Sequence, residues 1–333
     1  MIFTLQPGVA ATLPAQLLSV RLQTRGAATL PELDAVVVEP GGEERVRTDL
    51  VRHPGRLALA IQEPTLIRIR PAGGAPRFGT GAVFGLVVGA EASDADQAVL
   101  KSVDVSGLGA CHLIALTPSG SDVVITAVAQ SAHVVLPPGA DRARVATREV
   151  IGSPTVPASE AASIRLAIDS SASMRPTIAS GWLAWTVELI SGIATVVSDL
   201  ATLPTTACGR TSTTLPDHRF DQGGGRVVDE LGEVPPSIGF RSALVPDGGG
   251  HGMTYLVTDA VPVDHPGERR DLVHLVILGG AQSAGDRVAE GTVTHIDVNG
   301  SPESLSSEKL TALARSLLSD YQRRFRGRRG SPS

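Results

Sequence analysis

The chain has 333 residues, 42% of them hydrophobic, and a formal net charge of −5. That length exceeds one small core and suits two domains, while the acidic balance argues against a general nucleic-acid binder. Aromatic residues make up only 3%, so the cores must be built from Val, Leu, Ile and Ala.

The first residues, Met1 to Gly8, lack a basic stretch ahead of an apolar run, and Pro7, Pro14 and Gln16 interrupt any such run, so no export signal is expected. No segment approaches the ~20 uninterrupted apolar residues of a membrane span. The expectation is a soluble, cytoplasmic protein. From the start to about residue 150, short β-like runs recur between Gly and Pro punctuation: Leu17 to Leu22, Ala35 to Glu39, Leu57 to Gln62, Leu66 to Arg70, Val83 to Val88, His112 to Leu116 and Val123 to Val128. Many short strands with regular turn signals predict a β-sandwich over residues 1–150. Leu5-Gln-Pro-Gly8, followed by Glu32-Leu33-Asp34 ahead of Ala35 to Val38, resembles the TerD family of tellurium-resistance proteins. Members open on Leu-x-x-Gly and place Asp-Leu-Asp before a hydrophobic strand. The resemblance implies a calcium-binding β-sandwich of bacterial stress operons, in which A-domain partners are common. Glu32 stands where the family has its first acid, and the family's Gly-Asp-Asn calcium phrase has no counterpart. Asp34 is therefore the one Ca²⁺ ligand the resemblance supplies. Glu43 and Glu44 read as a solvated turn. Glu91-Ala-Ser-Asp94-Ala-Asp96 spaces carboxylates roughly as a calcium loop does, but without the central Gly and distal Glu of an EF-hand it reads as a connector.

Residues 151–163, rich in Pro, Ser and Ala, read as a linker. Next comes Ile164-Arg-Leu-Ala-Ile168-Asp169-Ser170-Ser171-Ala172-Ser173, an apolar run ending in an acid and two hydroxyls at alternate positions. An apolar run before a helical pattern reads as a buried α/β strand, and ligands gather outside the carboxyl ends of such strands. One carboxylate and two neutral hydroxyls suit a hard cation such as Mg²⁺. The same residues also suit a helix cap. Pro176 to Asp199 is predicted as a helix, with Trp182, Trp185, Leu189, Ile193 and Val196 on one face. Met253 to Asp259 is a second apolar run ending in an acid. Val273 to Leu278 and Val293 to Val298 are two more buried strands, and Ser307 to Phe325 is a closing helix with Leu310, Leu313, Leu317 and Tyr321 on one face.

The D-x-S-x-S spacing and this element order resemble the von Willebrand factor A domain and its metal-ion-dependent adhesion site. The implied architecture is α/β: a β-sandwich-like domain (1–150), then a Rossmann-like, doubly wound A domain (164–325), then a basic tail (326–333) expected to be disordered. By resemblance Asp169, Ser171, Ser173 and the distal Asp259 hold Mg²⁺, and an acidic residue of a protein partner completes the shell. The chain departs from the family twice. The expected loop threonine is absent, leaving Ser237, or earlier Thr211, Thr213 and Thr214, as the fourth ligand, and Ala260 replaces the glycine after the distal aspartate.

Other features carry less. Cys111 and Cys208, one per half, lack metal-ligand spacing and read as buried free thiols, with a disulfide the alternative. Asp221 to Gly225 and Asp247 to Gly252 resemble phosphate and oxyanion-hole loops without their context, and read as connections. His274 and His295 fall inside strands, where a packed, hydrogen-bonded histidine is the default. The tail Arg323 to Gly330 reads as a disordered segment whose cations complement a helix C-terminus, with contact to nucleic acid or an acidic partner the alternative. The expected function is non-enzymatic: metal-dependent protein–protein binding in a stress-response assembly. The alternatives are a hydrolase using Ser171 or Ser173, a metal-dependent phosphatase, and a scaffold without metal.

Overall fold

The computed structural model describes residues 1–6, 9–24, 30–39, 42–91, 93–128, 135–198, 200–246, 252–262, 273–279 and 293–326. The chain is mixed α/β with several mixed sheets, and it divides into two compact units. The first comprises Met1–His133 with Gly152–Pro154, and the second Val134–Ile151 with Thr155–Ser333.

In the first unit β1 (Ile2–Leu5), β2 (Ala10–Pro14), β3 (Leu18–Thr24), β4 (Glu32–Val38), β5 (Glu44–Val46), β6 (Val51–His53), β7 (Arg56–Leu59), β8 (Thr65–Arg70), β9 (Val83–Ala90), β10 (Ser93–Asp104), β11 (Cys111–Ser119) and β12 (Asp122–Ala127) form two six-stranded sheets. Their orders are β1-β10-β9-β3-β7-β6 and β2-β12-β11-β8-β4-β5. The strands alternate as half-buried strands must: in β8, Thr65, Ile67 and Ile69 point inward while Leu66 and Arg68 are less buried. Leu18, Val20, Leu86 and Val88 of one sheet share an apolar core with Leu13, Ile67, Ile69 and Ile125 of the other. The acid-rich segment read as a connector instead leads into β10, which opens at Ser93.

The second unit contains α1 (Pro138–Ile151), β13 (Ser163–Asp169), α2 (Arg175–Ala179), α3 (Trp182–Val197), β14 (Thr202–Leu203), β15 (Thr205–Cys208), β16 (Ser212–Thr214), β17 (His218–Arg219), α4 (Gly225–Gly232), β18 (Gly252–Thr258), β19 (Val273–Leu278), β20 (Val293–Ile296), α5 (Ser307–Leu317) and α6 (Ser319–Tyr321). Its main sheet runs β16-β15-β13-β18-β19-β20, parallel throughout except for the antiparallel edge strand β16. Both faces are buried, which is why β18 and β19 read as continuous apolar runs. Ile164, Leu166, Ile168, Tyr255 and Val257 pack with residues of α1, α3 and α5. Ala167, Cys208, Leu256, Leu275 and Ile277 form a smaller cluster with Val245, joined by Phe240 and Val261.

Three expectations need correction. Residues 151–163 are not a free linker: the Val156 and Ala162 N–H groups donate to the carbonyls of Val196 and Val197, each at 2.9 Å, and the Tyr321 hydroxyl donates to the Glu160 carbonyl at 3.0 Å. Nor does the β-rich region run to residue 150, because α1 buries Ala143, Ala146 and Ile151 in the core of the second unit. Thirdly, the helix read as Pro176 to Asp199 is two helices bent by 80° across a break. Gly181 sits in that break at φ 81°, a left-handed conformation that glycine adopts without a Cβ penalty. The closing helix likewise pauses at Leu318 before α6 and a π-wound turn, Gln322–Arg326, with Leu310, Leu317 and Tyr321 buried.

Among the described residues no single helix is long and apolar enough to cross a membrane. The bent pair Ala172–Ala179 and Trp182–Val197 passes by length and composition, but most of α3 is buried in the core.

Candidate metal centre

Strands β13 and β18 are parallel neighbours in the register Ile168↔Val257, which brings Asp169 beside Thr258 and sets Asp259 just beyond. Past the strand end the chain turns sharply. The Ser171 N–H donates to Asp169 Oδ1 at 2.7 Å, an Asx-type turn that swings the next residues over the end of the sheet. The Thr258 hydroxyl lies 2.9 Å from Asp169 Oδ2 and 3.0 Å from the Ala260 carbonyl oxygen. Ser171 Oγ and Ser173 Oγ are 2.8 Å apart. Asp169, Ser171, Ser173 and Asp259 thus line one cleft of about 430 Å³, together with Gly239, Phe240, Arg241, Thr258, Ala260, Val261 and Pro262. The site places Ser171 ahead of a 3₁₀ turn, Ala172–Met174, and its hydroxyl makes no capping bond there, so the helix-cap reading does not account for it.

Asp169 is only 3% exposed. Burial pushes its carboxyl above the ordinary value, opposed by hydrogen bonds from Ser171 and Thr258 and reinforced by the nearby Asp259 charge. Cys208, level with Asp169 on β15, is pushed up to about 12 by burial and by the Asp169 charge, which makes it an inert thiol. Cys111 is likewise a buried free thiol.

Ser237 reaches the motif by its backbone. Its N–H donates to the Ser170 carbonyl at 3.2 Å, and its own carbonyl accepts from the Ala172 N–H at 3.0 Å. Its hydroxyl donates to the Gly239 carbonyl at 2.7 Å, and it does not line the cleft. Thr211, Thr213 and Thr214 are exposed on and before edge strand β16, two strands from β13 and outside the cleft. None of the residues considered for the missing threonine thus stands in the cleft. Thr258, one residue before the distal acid, is the hydroxyl that meets Asp169; its place immediately before Asp259 was the available signal. Gly209 was also missed. A Cβ there would lie 2.5 Å from Ser237 Oγ and 2.7 Å from Ser170 Oγ, so only glycine lets the end of β15 back the loop this closely. Ala260 fits without strain, since no non-glycine residue among those described has positive φ.

The remaining candidates are committed elsewhere. Asp34 is buried with both carboxylate oxygens on guanidinium groups: Arg52 Nη1 at 2.8 Å on Oδ1, and Arg70 Nε at 2.8 Å and Arg68 Nη2 at 3.3 Å on Oδ2. Burial raises its pKa, but the three arginines outweigh this and hold it below the usual range. Asp34 is the centre of an ion-pair cluster, and its three positive neighbours oppose a further cation there. Glu44 pairs with Arg68 and Glu91 with Arg56, while the side chain of Asp94 lies outside the described residues. The glycine turn before α4 is occupied from within: Glu188 accepts the Gly224 N–H at 3.3 Å and, through its other oxygen, the Gly139 N–H at 3.1 Å. One carboxylate thereby caps the N-termini of α4 and α1. His274 is a packed core histidine, 2.7 Å from Asp320 Oδ2 and 2.8 Å from Thr294 Oγ1. The loop Asp247 to His251 and the tail beyond Arg326 lie outside the described residues.

No protein-family model matches the chain, and no curated protein matches it. A solved structure to which it is similar is the ArnB paralog VWA2 from Sulfolobus acidocaldarius, at 10% identity and a TM-score of 0.26, covering 76% of this chain and 54% of that one. The chain spans about half of that protein's length.

Proposed function

We propose that the second unit is an A-type, doubly wound domain whose cleft binds an acidic residue of a protein partner through Mg²⁺. The convergence of Asp169, Ser171, Ser173 and Asp259 on one cleft supports this reading most, because the two acids stand ninety positions apart in the sequence. The donor set is all hard oxygen, as Mg²⁺ requires, and the facing Ser171 and Ser173 hydroxyls offer neutral ligands beside a buried carboxylate. Ser171 and Ser173 would hold the ion directly, with Asp169 and Asp259 direct or through water. Two neutral ligands leave it electrophilic, so it supplies an attachment point for a carboxylate from outside. Binding fits this lining better than turnover: the two serines face each other, and Asp169 is already engaged by Ser171 and Thr258 instead of orienting a base.

The first unit is proposed as a TerD-like β-sandwich that docks or senses within a stress-response assembly. Calorimetric Mg²⁺ titration of the wild type against Asp169→Ala tests the cation site, and equal heats for the two proteins would refute it. Partner capture that is unchanged by chelator would refute the adhesion mechanism even where the ion binds.

A further inference from the structure

Besides the four proposed ligands the cleft is lined by Phe240, Arg241, Val261 and Pro262, and Arg241 is its one basic residue. Arg241 is anchored through its backbone, its N–H donating to the Gly209 carbonyl at 3.3 Å and its carbonyl accepting from the Leu244 N–H at 3.1 Å. Its side chain is exposed, and among the described residues no hydrogen bond or ion pair engages the guanidinium. Arg52, Arg68 and Arg70 of the first unit, by contrast, are paired with carboxylates. An exposed cation that lines the cleft and has no partner among the described residues is open to an anionic group of a partner.

Charge decides what that partner carries. Without a divalent ion the two carboxylates outweigh Arg241 and the cleft repels acids. With the ion in place their charge is balanced, and Arg241 leaves the cleft net positive. We propose, on the basis of the cation site assigned to the same cleft, that Arg241 is a second anion anchor. The partner segment then presents two acidic side chains, one to the ion and one to the Arg241 fork. Alternate residues of an extended segment share a face, so an Asp-Leu-Glu sequence places both acids on one side. The planar guanidinium matches a carboxylate in two-point geometry, which a lysine cannot reproduce.

Two labelled pentapeptides test this, Gly-Asp-Leu-Ser-Gly and its two-acid form Gly-Asp-Leu-Glu-Gly, bound to the full chain and followed by fluorescence anisotropy, with Mg²⁺ affinity measured separately by calorimetry. In Mg²⁺ the wild type should prefer the two-acid peptide by about fivefold, the scale of one solvent-facing ion pair. Arg241→Gln should abolish that preference while binding Mg²⁺ at least as tightly as the wild type, and Arg241→Lys should retain part of it. Equal binding of both peptides by a wild type that does bind Mg²⁺ overturns the anchor and leaves the cation site standing. A preference that survives Arg241→Gln, or that persists in chelator, also overturns it. A wild type that gives no Mg²⁺ heat overturns the cation site and the anchor together.

Discussion

Replacing Asp169 by asparagine should make the metal-free protein more stable and the Mg²⁺-loaded protein less so than the wild type. Asp169 is 3% exposed with no cationic partner among the described residues. Removing a carboxylate from water costs several kcal/mol, and the two hydrogen bonds it accepts, from Ser171 N–H and the Thr258 hydroxyl, return about 1.5–3 kcal/mol each. The raised pKa says that burial exceeds this return. An amide preserves both contacts, because its oxygen accepts the Ser171 N–H while its NH₂ donates to Thr258 Oγ1, freeing that hydroxyl to donate to the Ala260 carbonyl. The expected gain is on the order of 1 kcal/mol, or about 2–4 °C for a domain of this size. Mg²⁺ supplied at a hundredfold excess over its dissociation constant stabilises only a protein that binds it, by about 2.7 kcal/mol. The two melting curves should therefore exchange order between chelator and Mg²⁺ in differential scanning calorimetry. If Asp169→Asn melts no higher than the wild type in chelator, the buried charge is not a cost. If Mg²⁺ raises both proteins equally, Asp169 does not serve the ion.

Three further outcomes can be checked. Gly209→Ala should leave the fold intact but push Ser170 and Ser237 away from β15, weakening Mg²⁺ binding by about 10–100-fold as loss of ligand support does; an unchanged calorimetric affinity would show that the loop does not need that backing. Gly192→Ala should cost about 1–3 kcal/mol of stability in urea unfolding, since a methyl there would overlap the Ala140 carbonyl oxygen and sit 2.7 Å from Ala143 Cβ where α3 crosses α1; near-neutrality would mean that the crossing is loose. His218 is buried, and burial holds its pKa below 6.5 despite the neighbouring Glu230 and Asp221 charges. Its contribution to stability is full above the unfolded value and is lost as pH falls through the folded one, so His218→Leu should flatten the loss of stability below about pH 6.5, and parallel pH profiles would contradict this.

The parallel sheet of the second unit was legible in the sequence because strands buried on both faces are continuous apolar runs, and Met253 to Thr258 and Val273 to Leu278 stand out as such. Asp169 and Asp259 were legible because each interrupts such a run at its end. Helix α1 was not. It buries small residues, Ala140, Ala143 and Ala146, the first two against the bare backbone of Gly192, and carries Arg142, Arg144 and Arg148, so no apolar stripe announces it. The break at Gly181 was hidden for the opposite reason, since the apolar period continues on both sides of it. In the first unit β10 and the edge strands β5 and β6 escaped notice, because all residues of β5 and β6 are exposed and the strongest strand signal is a buried alternate face. At the site, Thr258, Gly209 and Arg241 act through strand adjacency, a close approach and an irregular segment. None of these leaves a spacing in the sequence, whereas D-x-S-x-S does.

Adjacency of β13 and β18 also bears on the A-type reading proposed for the second unit. In a parallel pair both carboxyl ends open on the same side, so an acid at each end shares a cleft whatever the intervening loops contain. The glycine that Ala260 replaces is needed only where the backbone turns left-handed, and here it does not. The missing threonine is a different loss. Ser237 brings its backbone to the loop but spends its hydroxyl on Gly239, and the cleft presents Arg241 from the same segment instead. Where the proposed A-type resemblance implies a neutral ligand, this segment contributes a positive charge. That exchange weakens the hold on a cation and strengthens the hold on the cation's acidic partner, so Mg²⁺ and the two-acid peptide should bind with positive cooperativity, each raising the other's affinity by the same factor.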